Sequence, residues 1–525
     1  TDLIEKYKFT KNQNDISVVV GEVDIPTKQM QKLLTISYQY DGNCLCYGIS
    51  GSGKEKFITS MLYSSLILYT PEDVNYYIID FGSGTLKMFD NSYMIGNIMT
   101  IDDKEEIDNL YKMLNTIIQE RKKLFQDYNG DYVNYIKNSG KKVPSIVVII
   151  NNYELYQENY SNADDLLNVI TRECVKYGIY FVITATTPNG IRFKLKQNFS
   201  KIFALQQNNV DDYTTILGNV SKTYPSKMIG RGIIKTDNVY EFQTASVYEE
   251  EKLKDYIKEE VEKYNSKYLV KAKKVPVLPE EVSYKDIKMS FNKDKSLVIG
   301  LDKATLNTVN FDFTKNFTSI ITSLDISNIK DFVNPLINQI LALNSYNLIV
   351  INASDITLDE KYTNYYNYIN NNFNEIFNEL EELSSDKYEI YKANNYKNNI
   401  FKDNKKTYCI IIGVDNFRNK LNDAFKQKFQ NMFNNFKNLD LVTFILIDSI
   451  DKIKKIELEP WYKNCVSNND GIYIGNGIND QFSLRYTTKL DEMKQDVPNK
   501  FCFVIKKGKP MYVKYVTKFE LNIKE

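Results

Sequence analysis

The sequence contains no histidine, and this absence narrows the chemistry that is open to the chain. Without imidazole there is no Ser-His-Asp triad, no histidine general base and no zinc site with histidine ligands. The cysteines are few, and they are scattered through apolar runs instead of being paired at the spacing of metal ligands: Cys44, Cys46, Cys174, Cys409, Cys465 and Cys502. We therefore expect buried thiols in a reducing compartment.

Net charge is also absent, because 67 Lys and Arg residues balance 67 Asp and Glu residues. Nothing in the overall composition therefore indicates a protein tuned to nucleic acid or to an anionic membrane. The sequence has no apolar run near the roughly 18 residues of a membrane-spanning helix, and it begins with neither a signal peptide nor Met. We expect a soluble fragment of a larger protein, with two or three domains.

The chain contains an internal duplication, in which six blocks of the first half recur in the same order in the second half. The block "VVVGEVDIP" matches "LVIGLDKAT", which aligns Gly21 with Gly300. The block "IVVIINNYE" matches "IIIGVDNFR", which aligns Asn151 with Asp415. Two copies of one domain are therefore predicted.

Each copy alternates short apolar strands with longer helical stretches, a pattern typical of an α/β fold with a mainly parallel sheet and helices on both faces. We predict two tandem domains, residues 1–271 and 272–525, joined by a stiff extended connector that contains Pro276 and Pro279. In the first copy, strands are predicted near 44–48, 74–80, 145–150, 179–185 and 201–206, and helices near 53–69, 104–127 and 163–176.

The segment "GISGSGK" has the pattern and the context of a phosphate-binding loop, since it follows a predicted strand and opens a predicted helix. Glycines let the backbone turn tightly and point successive N–H groups at phosphates, and the lysine meets the β and γ charges. We predict a nucleotide-binding loop that consists of Gly48, Ile49, Ser50, Gly51, Ser52, Gly53, Lys54 and Glu55.

The positions that should hold Mg²⁺ beside this loop are altered. A hydroxyl is expected at position 55, but Glu55 either ligates the metal directly or repels the γ-phosphate. The strand that should end in an acid ends in Asn151 and Asn152, neutral amides that cannot act as general bases. The residues thus predict ATP binding with slow hydrolysis or none. The alternative is an active ATPase whose metal site is restored by Glu55 or by Glu154, two residues beyond the amides.

Arg172 is a further catalytic candidate with two interpretations. In the first interpretation, its side chain contacts the γ-phosphate bound by a neighbouring domain. In the second, which we favour, it is a surface residue near Asp165 and Glu173. Arg231, between two glycines, is interpreted as a hairpin residue.

The second copy lacks a phosphate loop. Its corresponding segment, "ITSLDISNIK" (321–330), has no glycine and places Asn328 where the lysine is expected. Asp415 is interpreted as a hydrogen-bonded turn residue, since an acid without a phosphate loop has no metal-nucleotide to hold. The aromatic-rich segment 362–383 either packs in the core, which we favour, or presents a surface to a helical partner.

The order of these motifs resembles the FtsK/SpoIIIE ATPases, and within them the coupling ATPases of type VII secretion (EssC/EccC). The resemblance rests on "VVVGEVDIPTKQMQ", "YGISGSGK", "IIDFGSG", "QERKKLF", "RECVKYGIYFVITATTP", "SKIFALQQNNVDDYTTILG", "GRGIIKTDNVYEFQTA" and, in the second copy, "GIYIGNGINDQF".

Because the second copy lacks a phosphate loop, we expect ATP and Mg²⁺ to bind the first domain only. The resemblance implies RecA-like P-loop domains with ATP as their ligand. It implies cytosolic domains of a membrane-anchored hexamer that exports small WXG-type helical-hairpin proteins, whose C-terminal signal docks on the last domain. A DNA translocase, from the family's other branch, is less favoured because the charge is neutral and a basic winged-helix tail is absent. No nucleic-acid partner is therefore expected.

Overall fold

The computed structural model describes residues 2–11, 15–160, 162–220, 223–288, 296–343, 345–359, 373–401 and 404–519. The chain divides into two compact units, Thr1–Val277 and Leu278–Glu525. This division lies six residues beyond the predicted end of the first domain at residue 271.

The strands of the first unit are β1 (Ser17–Ile25), β2 (Met30–Ser37), β3 (Cys44–Tyr47), β4 (Val74–Asp80), β5 (Ile95–Met99), β6 (Ser145–Asn151), β7 (Ile179–Ala185), β8 (Lys201–Leu205), β9 (Arg231–Lys235) and β10 (Val239–Thr244). Its helices are α1 (Asp2–Lys6), α2 (Tyr38–Asp41), α3 (Lys54–Leu68), α4 (Lys104–Leu124), α5 (Tyr132–Ser139), α6 (Tyr153–Asn159), α7 (Ala163–Glu173), α8 (Phe193–Lys196), α9 (Val210–Leu217) and α10 (Leu253–Asn265).

The strands of the second unit are β11 (Val282–Ser283), β12 (Leu297–Asp302), β13 (Thr308–Phe311), β14 (Thr318–Ser323), β15 (Asn347–Asn352), β16 (Thr407–Ile412), β17 (Val442–Ser449), β18 (Val466–Ile474), β19 (Phe501–Lys506) and β20 (Lys509–Lys518). Its helices are α11 (Tyr284–Ile287), α12 (Lys330–Leu343), α13 (Phe373–Ala393), α14 (Val414–Lys420), α15 (Asp423–Leu439), α16 (Ile450–Ile456) and α17 (Pro460–Cys465).

The first sheet follows the order β2-β1-β10-β9-β8-β3-β7-β6-β4-β5. The part from β8 to β5 is parallel, and every residue of β6 and β7 is buried, as expected for central strands covered by helices on both faces. The predicted α/β architecture is confirmed. The antiparallel strands β1, β2, β9 and β10 extend the sheet on one side and were missing from the predicted strands.

The second sheet follows the order β13-β12-β20-β19-β18-β14-β17-β16-β15. Position by position, these strands correspond to the first nine strands of the first sheet, from β2 to β4. The repeat extends to an irregular position, because the pairing register shifts between Val19 and Gly21 in one copy and before Gly300 in the other. In each copy a helix side chain satisfies the N–H group at the start of this bulge. Ser64 Oγ accepts from Val19 (2.7 Å), and a glutamine of α12 takes the corresponding role.

Residues 271–279 of the connector form neither helix nor strand, and the connector makes hydrogen bonds on both sides of the division. The Pro276 carbonyl accepts a hydrogen bond from Asn109 Nδ2 (3.0 Å), within the first unit. The Pro279 carbonyl accepts one from Lys514 Nζ (2.6 Å), within the second.

The aromatic segment predicted at 362–383 lies outside the described residues up to position 372. From Phe373 onward it forms the start of α13, in which Phe377 and Leu380 are buried in the core. For these two side chains the favoured interpretation, core packing, holds.

The two bulge glycines should be equally intolerant of a side chain. A Cβ atom would lie 2.1 Å from the Gln243 carbonyl oxygen at Gly21 and 2.0 Å from the Lys514 carbonyl oxygen at Gly300. We expect Gly21→Ala and Gly300→Ala each to lower the free energy of unfolding of their own unit by about 1–3 kcal/mol, measured by chemical denaturation. The exposed substitution Lys32→Ala should change it by no more than about 0.5 kcal/mol, and glycine variants as mild as this control would contradict the proposed packing.

Candidate nucleotide site

The glycine-rich segment occupies the turn between β3 and α3, where the sequence predicts it. The Gly48 N–H group donates to the Ala185 carbonyl (3.0 Å), and the Ile49 N–H group donates to the Gln206 carbonyl (2.9 Å). These bonds fix the start of the loop between the ends of β7 and β8. The first helical residue after the loop is Lys54.

Two glycines of the loop have left-handed backbone angles, with φ +75° at Gly51 and +104° at Gly53. The second also needs its small size, because a Cβ atom there would lie 2.6 Å from the Gly230 backbone nitrogen. The Gly230 N–H group donates to the Ser52 carbonyl (2.8 Å), so the segment before β9 lies directly against the loop. Any other residue at position 53 would meet both strain and a clash.

The Lys54 ammonium group is half-buried and donates to the carbonyls of Gly48 and Ile49, the latter at 3.1 Å. Burial lowers the pKa of Lys54. The ammonium group therefore lies inside the curve of the loop, where a polyphosphate would exchange carbonyl contacts for full negative charges.

The Glu55 carboxylate contacts the turn that follows β4. Its Oε1 atom accepts from the Ser83 N–H group (3.0 Å) and the Ser83 hydroxyl (2.8 Å), and its Oε2 atom accepts from the Thr85 hydroxyl (3.0 Å). Glu55 thus joins the first turn of α3 to residues 83–85.

Asn151 and Asn152 end β6 beside the neighbouring strands. Asn151 Nδ2 donates to Asp80 Oδ1 (2.9 Å), and the Thr184 hydroxyl donates to Asn151 Oδ1 (2.7 Å). Asn152 has φ +67°, caps α6, and donates its N–H group to the Thr184 hydroxyl (2.9 Å). Polar side chains from β4, β6 and β7 therefore form one continuous chain of hydrogen bonds at this edge of the sheet.

Asp80 is the residue of this edge that was missing from the sequence-predicted site. The residue is 3% exposed, and its Oδ2 atom makes no hydrogen bond within the described residues. The backbone N–H group of Leu86 is near the Asp80 carboxylate and favours its charged form. Burial raises the pKa of Asp80, and the charge of Glu55 raises it further. The signal was an acid directly after the apolar strand "VNYYII", since neighbouring parallel strands end at the same edge.

Glu154 lies on α6 and contacts the turn after β7. Its Oε1 atom accepts from the N–H groups of Thr186 (2.7 Å) and Thr187 (2.9 Å). The carboxylate therefore fixes this turn, whatever further role it has.

The two arginines differ in their surroundings. Arg172 is exposed on α7, and no ion pair joins it to Asp165 or Glu173 in the described part of the chain; Glu173 contacts Lys122 instead (3.4 Å). Its contact with a neighbouring domain remains a prediction. The Arg231 guanidinium contacts Glu241 of the adjacent strand β10 (3.3 Å), which agrees with a hairpin role.

The second unit has a 3₁₀ turn, residues 326–329, in place of the glycine loop. Before it, the Asp325 carboxylate accepts a hydrogen bond from the Ser327 N–H group (2.8 Å), which lowers the pKa of Asp325. The Asp325 carboxylate therefore already accepts the hydrogen bond from the Ser327 N–H group, which a phosphate in this loop would need as a donor. The helix α12 begins at the exposed Lys330, two residues after the predicted counterpart of the P-loop lysine, Asn328.

The predicted alignment of Asn151 with Asp415 is shifted by three residues in the structure. Each copy has a residue with positive φ that caps the helix after this strand, Asn152 at +67° and Gly413 at +76°. Two residues after each cap stand Glu154 and Asp415, which are thus the true counterparts. The pairing was wrong because apolar strands of similar composition align equally well in several registers.

Asp415 is a hydrogen-bonded residue in the first turn of α14, as interpreted from the sequence. Its Oδ1 atom accepts from Asn419 Nδ2 (3.1 Å), and its N–H group donates to Asp448 Oδ2 (3.0 Å).

The described residues also bear on other classes of function. They contain no group of three or more Cys, Asp or Glu side chains arranged as a metal cluster. All six cysteines are buried free thiols. No described helix is both long enough and apolar enough to cross a bilayer.

Comparisons with known proteins agree with this geometry. Residues 2–230 match the model of the FtsK/SpoIIIE family. The type VII secretion system protein EssC of Staphylococcus aureus (strain MRSA252) is 24% identical over 388 residues, which cover 70% of this chain and 26% of that protein. The chain thus spans about a quarter of the length of this curated relative.

Solved structures share the fold over nearly the whole chain. EssC (ATPases 2 and 3) from Geobacillus thermodenitrificans aligns with a TM-score of 0.84 and 19% identity, covering 98% of each chain. Thermomonospora curvata EccC (ATPases 2 and 3), solved in complex with a signal sequence peptide, aligns with a TM-score of 0.57 and 16% identity, covering 97% of this chain and 94% of that one. The predicted tandem ATPase fold is confirmed.

The contacts of Glu154 predict a structural cost when it is removed. Glu154→Ala leaves two N–H groups of the turn after β7 without their charged acceptor, so we expect the free energy of unfolding to fall by about 1.5–3 kcal/mol in chemical denaturation. Glu158→Ala, an exposed position on the same helix, should stay within about 0.5 kcal/mol of the parent. A stability-neutral Glu154→Ala that abolishes ATP turnover would instead support the catalytic interpretation.

Proposed function

Because residues 2–230 match the model of the FtsK/SpoIIIE family, we propose that the first unit binds ATP and hydrolyses it weakly or not at all. The second unit binds no nucleotide and helps to recognise exported proteins. The chain is then the cytosolic C-terminal part of a membrane-anchored type VII secretion ATPase.

The observation that carries the proposal is the separation of phosphate-binding groups from catalytic groups in the first unit. The loop supplies left-handed glycines and the Lys54 ammonium group, which is what polyphosphate binding requires. The two acids that could support hydrolysis each hold a turn through hydrogen bonds: Glu55 contacts Ser83, and Glu154 contacts the turn after β7. Binding is thus better supported than turnover.

For the second unit, the support is the loop at 323–330. It lacks the glycines that would turn the backbone, and Asp325 would repel a phosphate. A nucleotide-free unit is available for protein contacts. The likeness to an EccC structure that holds a signal sequence peptide favours a peptide segment as its partner.

The relatives extend the proposal to the intact protein. The similarity to a type VII secretion system protein supports other secretion-system components as partners. From the family resemblance of the motifs we further propose WXG-type helical-hairpin proteins as cargo and a homo-oligomer, a hexamer, as the working assembly. Mg²⁺ would accompany ATP in the first unit, where it neutralises phosphate charge.

The first test is nucleotide binding by the 525-residue chain. We expect ATP to bind with micromolar or tighter affinity in isothermal titration, and Lys54→Ala to weaken this at least about 100-fold, or about 2.8 kcal/mol. The matched control is Lys330→Ala, the first helical residue after the corresponding loop of the second unit, which should leave the affinity unchanged.

Two results would contradict this assignment. The absence of ATP binding by the parent chain would remove the proposal for the first unit. Steady ATP turnover above about 0.1 s⁻¹ that is lost in Lys54→Ala would establish the active-ATPase alternative, because competent enzymes typically run near 1 s⁻¹ or faster.

The second test concerns the exported protein. A fluorescent peptide with the C-terminal signal of a WXG-type protein should bind the chain, and photo-crosslinks should map to residues 278–525. Lys54→Ala should change this affinity by no more than about twofold, or about 0.4 kcal/mol, because the nucleotide loop belongs to the other unit. A scrambled peptide is the control, and crosslinks confined to residues 1–277 would refute the assignment.

A further inference from the structure

We infer that Asp80 and Glu55 form the metal-facing side of the first unit's nucleotide site, with Asn151 as the residue that positions Asp80. This inference rests on the proposed function, and it assigns the carboxylates through which a divalent cation bound with ATP would be held. The acid expected at the end of β6 is then supplied by the neighbouring strand β4.

The first support is a small cradle beneath Gly82. A Cβ atom at this glycine would lie 2.4 Å from Asn151 Nδ2, 2.8 Å from Glu55 Oε1 and 3.1 Å from Asp80 Oδ1. Two carboxylate oxygens therefore lie within about 3 Å of a single point that only a glycine leaves open. Two negative charges so close together are stabilised by a cation or a proton between them.

The second support is the unpaired oxygen of Asp80. The side chain is 97% buried, and Oδ2 makes no hydrogen bond within the described residues. A buried carboxylate oxygen without a partner is costly in a structural role, and it is a suitable ligand for Mg²⁺, directly or through the ion's water shell.

The third support is the chain of hydrogen bonds behind Asp80. The Asn152 N–H group donates to Thr184, the Thr184 hydroxyl donates to Asn151, and the Asn151 amide donates to Asp80 Oδ1. Each donor is fixed by the bond before it, so the carboxylate is held in one orientation. Outer groups of this kind fix the ligands of metal sites in proteins.

The register of the sheet explains why position 151 carries an amide. Asp80 and Asn151 are directly paired across β4 and β6. An aspartate at both positions would place two like charges opposite each other, whereas an amide turns the pair into donor and acceptor. An acid at 80 and an amide at 151 thus give the strand edge a single carboxylate.

The experiment measures metal binding by the full chain without using turnover. Mn²⁺ is titrated in the presence of ATP, with free Mn²⁺ followed by electron paramagnetic resonance, and ATP binding is measured separately in EDTA by isothermal titration. We expect Asp80→Asn to weaken Mn²⁺ binding at least about tenfold, with Glu55→Gln acting in the same direction. The affinity for metal-free ATP should be unchanged or higher, because a negative charge is removed near the phosphates.

A double variant that exchanges the two residues, and a control variant at an exposed acid, test whether the effect is specific to this carboxylate. Asp80→Asn combined with Asn151→Asp returns a carboxylate to the same edge, and we expect it to recover at least part of the lost Mn²⁺ affinity. Asp165→Asn, an exposed acid on α7, should change nothing. Thermal melts without metal should show Asp80→Asn at least as stable as the parent, since the substitution removes an unpaired buried charge.

The failures can be told apart. If the parent binds no ATP, both this inference and the proposed function fall. If ATP binds and depends on Lys54, but Asp80→Asn leaves Mn²⁺ affinity unchanged or weakens metal-free ATP equally, only the assignment of Asp80 is overturned.

Discussion

The parallel register of β4, β6 and β7 is the constraint on which the proposed nucleotide site of the first unit depends. It places the last residues of these strands at one edge of the sheet, so that Asp80, Asn151 and Thr184 meet although 104 positions separate the first from the last. The neighbouring strand β3 brings the glycine loop and Lys54 to the same edge. The strand order alone therefore makes the glycine loop and the carboxylate groups neighbours.

The two units share one fold but differ in the loop at the edge of the sheet. Strand order, bulge and helix caps are repeated in both, because they depend on backbone pairing and on buried apolar strands. The loop before the long helix is outside that core, and it differs. It turns through Gly53 in the first unit, whereas in the second a loop of the same length forms a 3₁₀ turn that follows Asp325. A change confined to such a loop can alter the chemistry of this edge without disturbing the sheet.

The sequence was informative where the signal is local. The glycine loop, Lys54 and the alternation of strands and helices are each read from a few adjacent residues, and the structure places them as predicted. Asp80 was missed because its role depends on which strand becomes the neighbour of β6, a long-range pairing. The match of Asp415 with Asn151 failed by three residues for a similar reason, since the left-handed caps that fix the true register have different side chains in the two copies.

Resemblance to family motifs does not show whether a charged residue of a motif binds a ligand or stabilises the fold. Arg121, within the motif "QERKKLF", is buried and donates to the carbonyls of Pro144 (2.7 Å) and Gly178 (3.3 Å), which hold α4 against the starts of β6 and β7. Burial lowers the pKa of Arg121 to about 10, so the group stays charged near neutral pH. Its carbonyl contacts explain its place in the motif without any ligand.

At the corresponding edge of the second sheet, the buried carboxylate of Asp448 has hydrogen bonds to both of its oxygens. Asp448 is fully buried, as Asp80 nearly is, but both of its oxygens are used: Oδ2 accepts from the Asp415 N–H group and Oδ1 from the Ser449 N–H group (2.9 Å). The Lys452 ammonium group, 3.8 Å away, compensates the charge. A carboxylate satisfied in this way stabilises its own turn and gains little from a cation, whereas Asp80 keeps one oxygen unpaired. Of the two homologous edges, the first is therefore the one that we propose for ligand binding, because it keeps a buried carboxylate oxygen without a hydrogen bond.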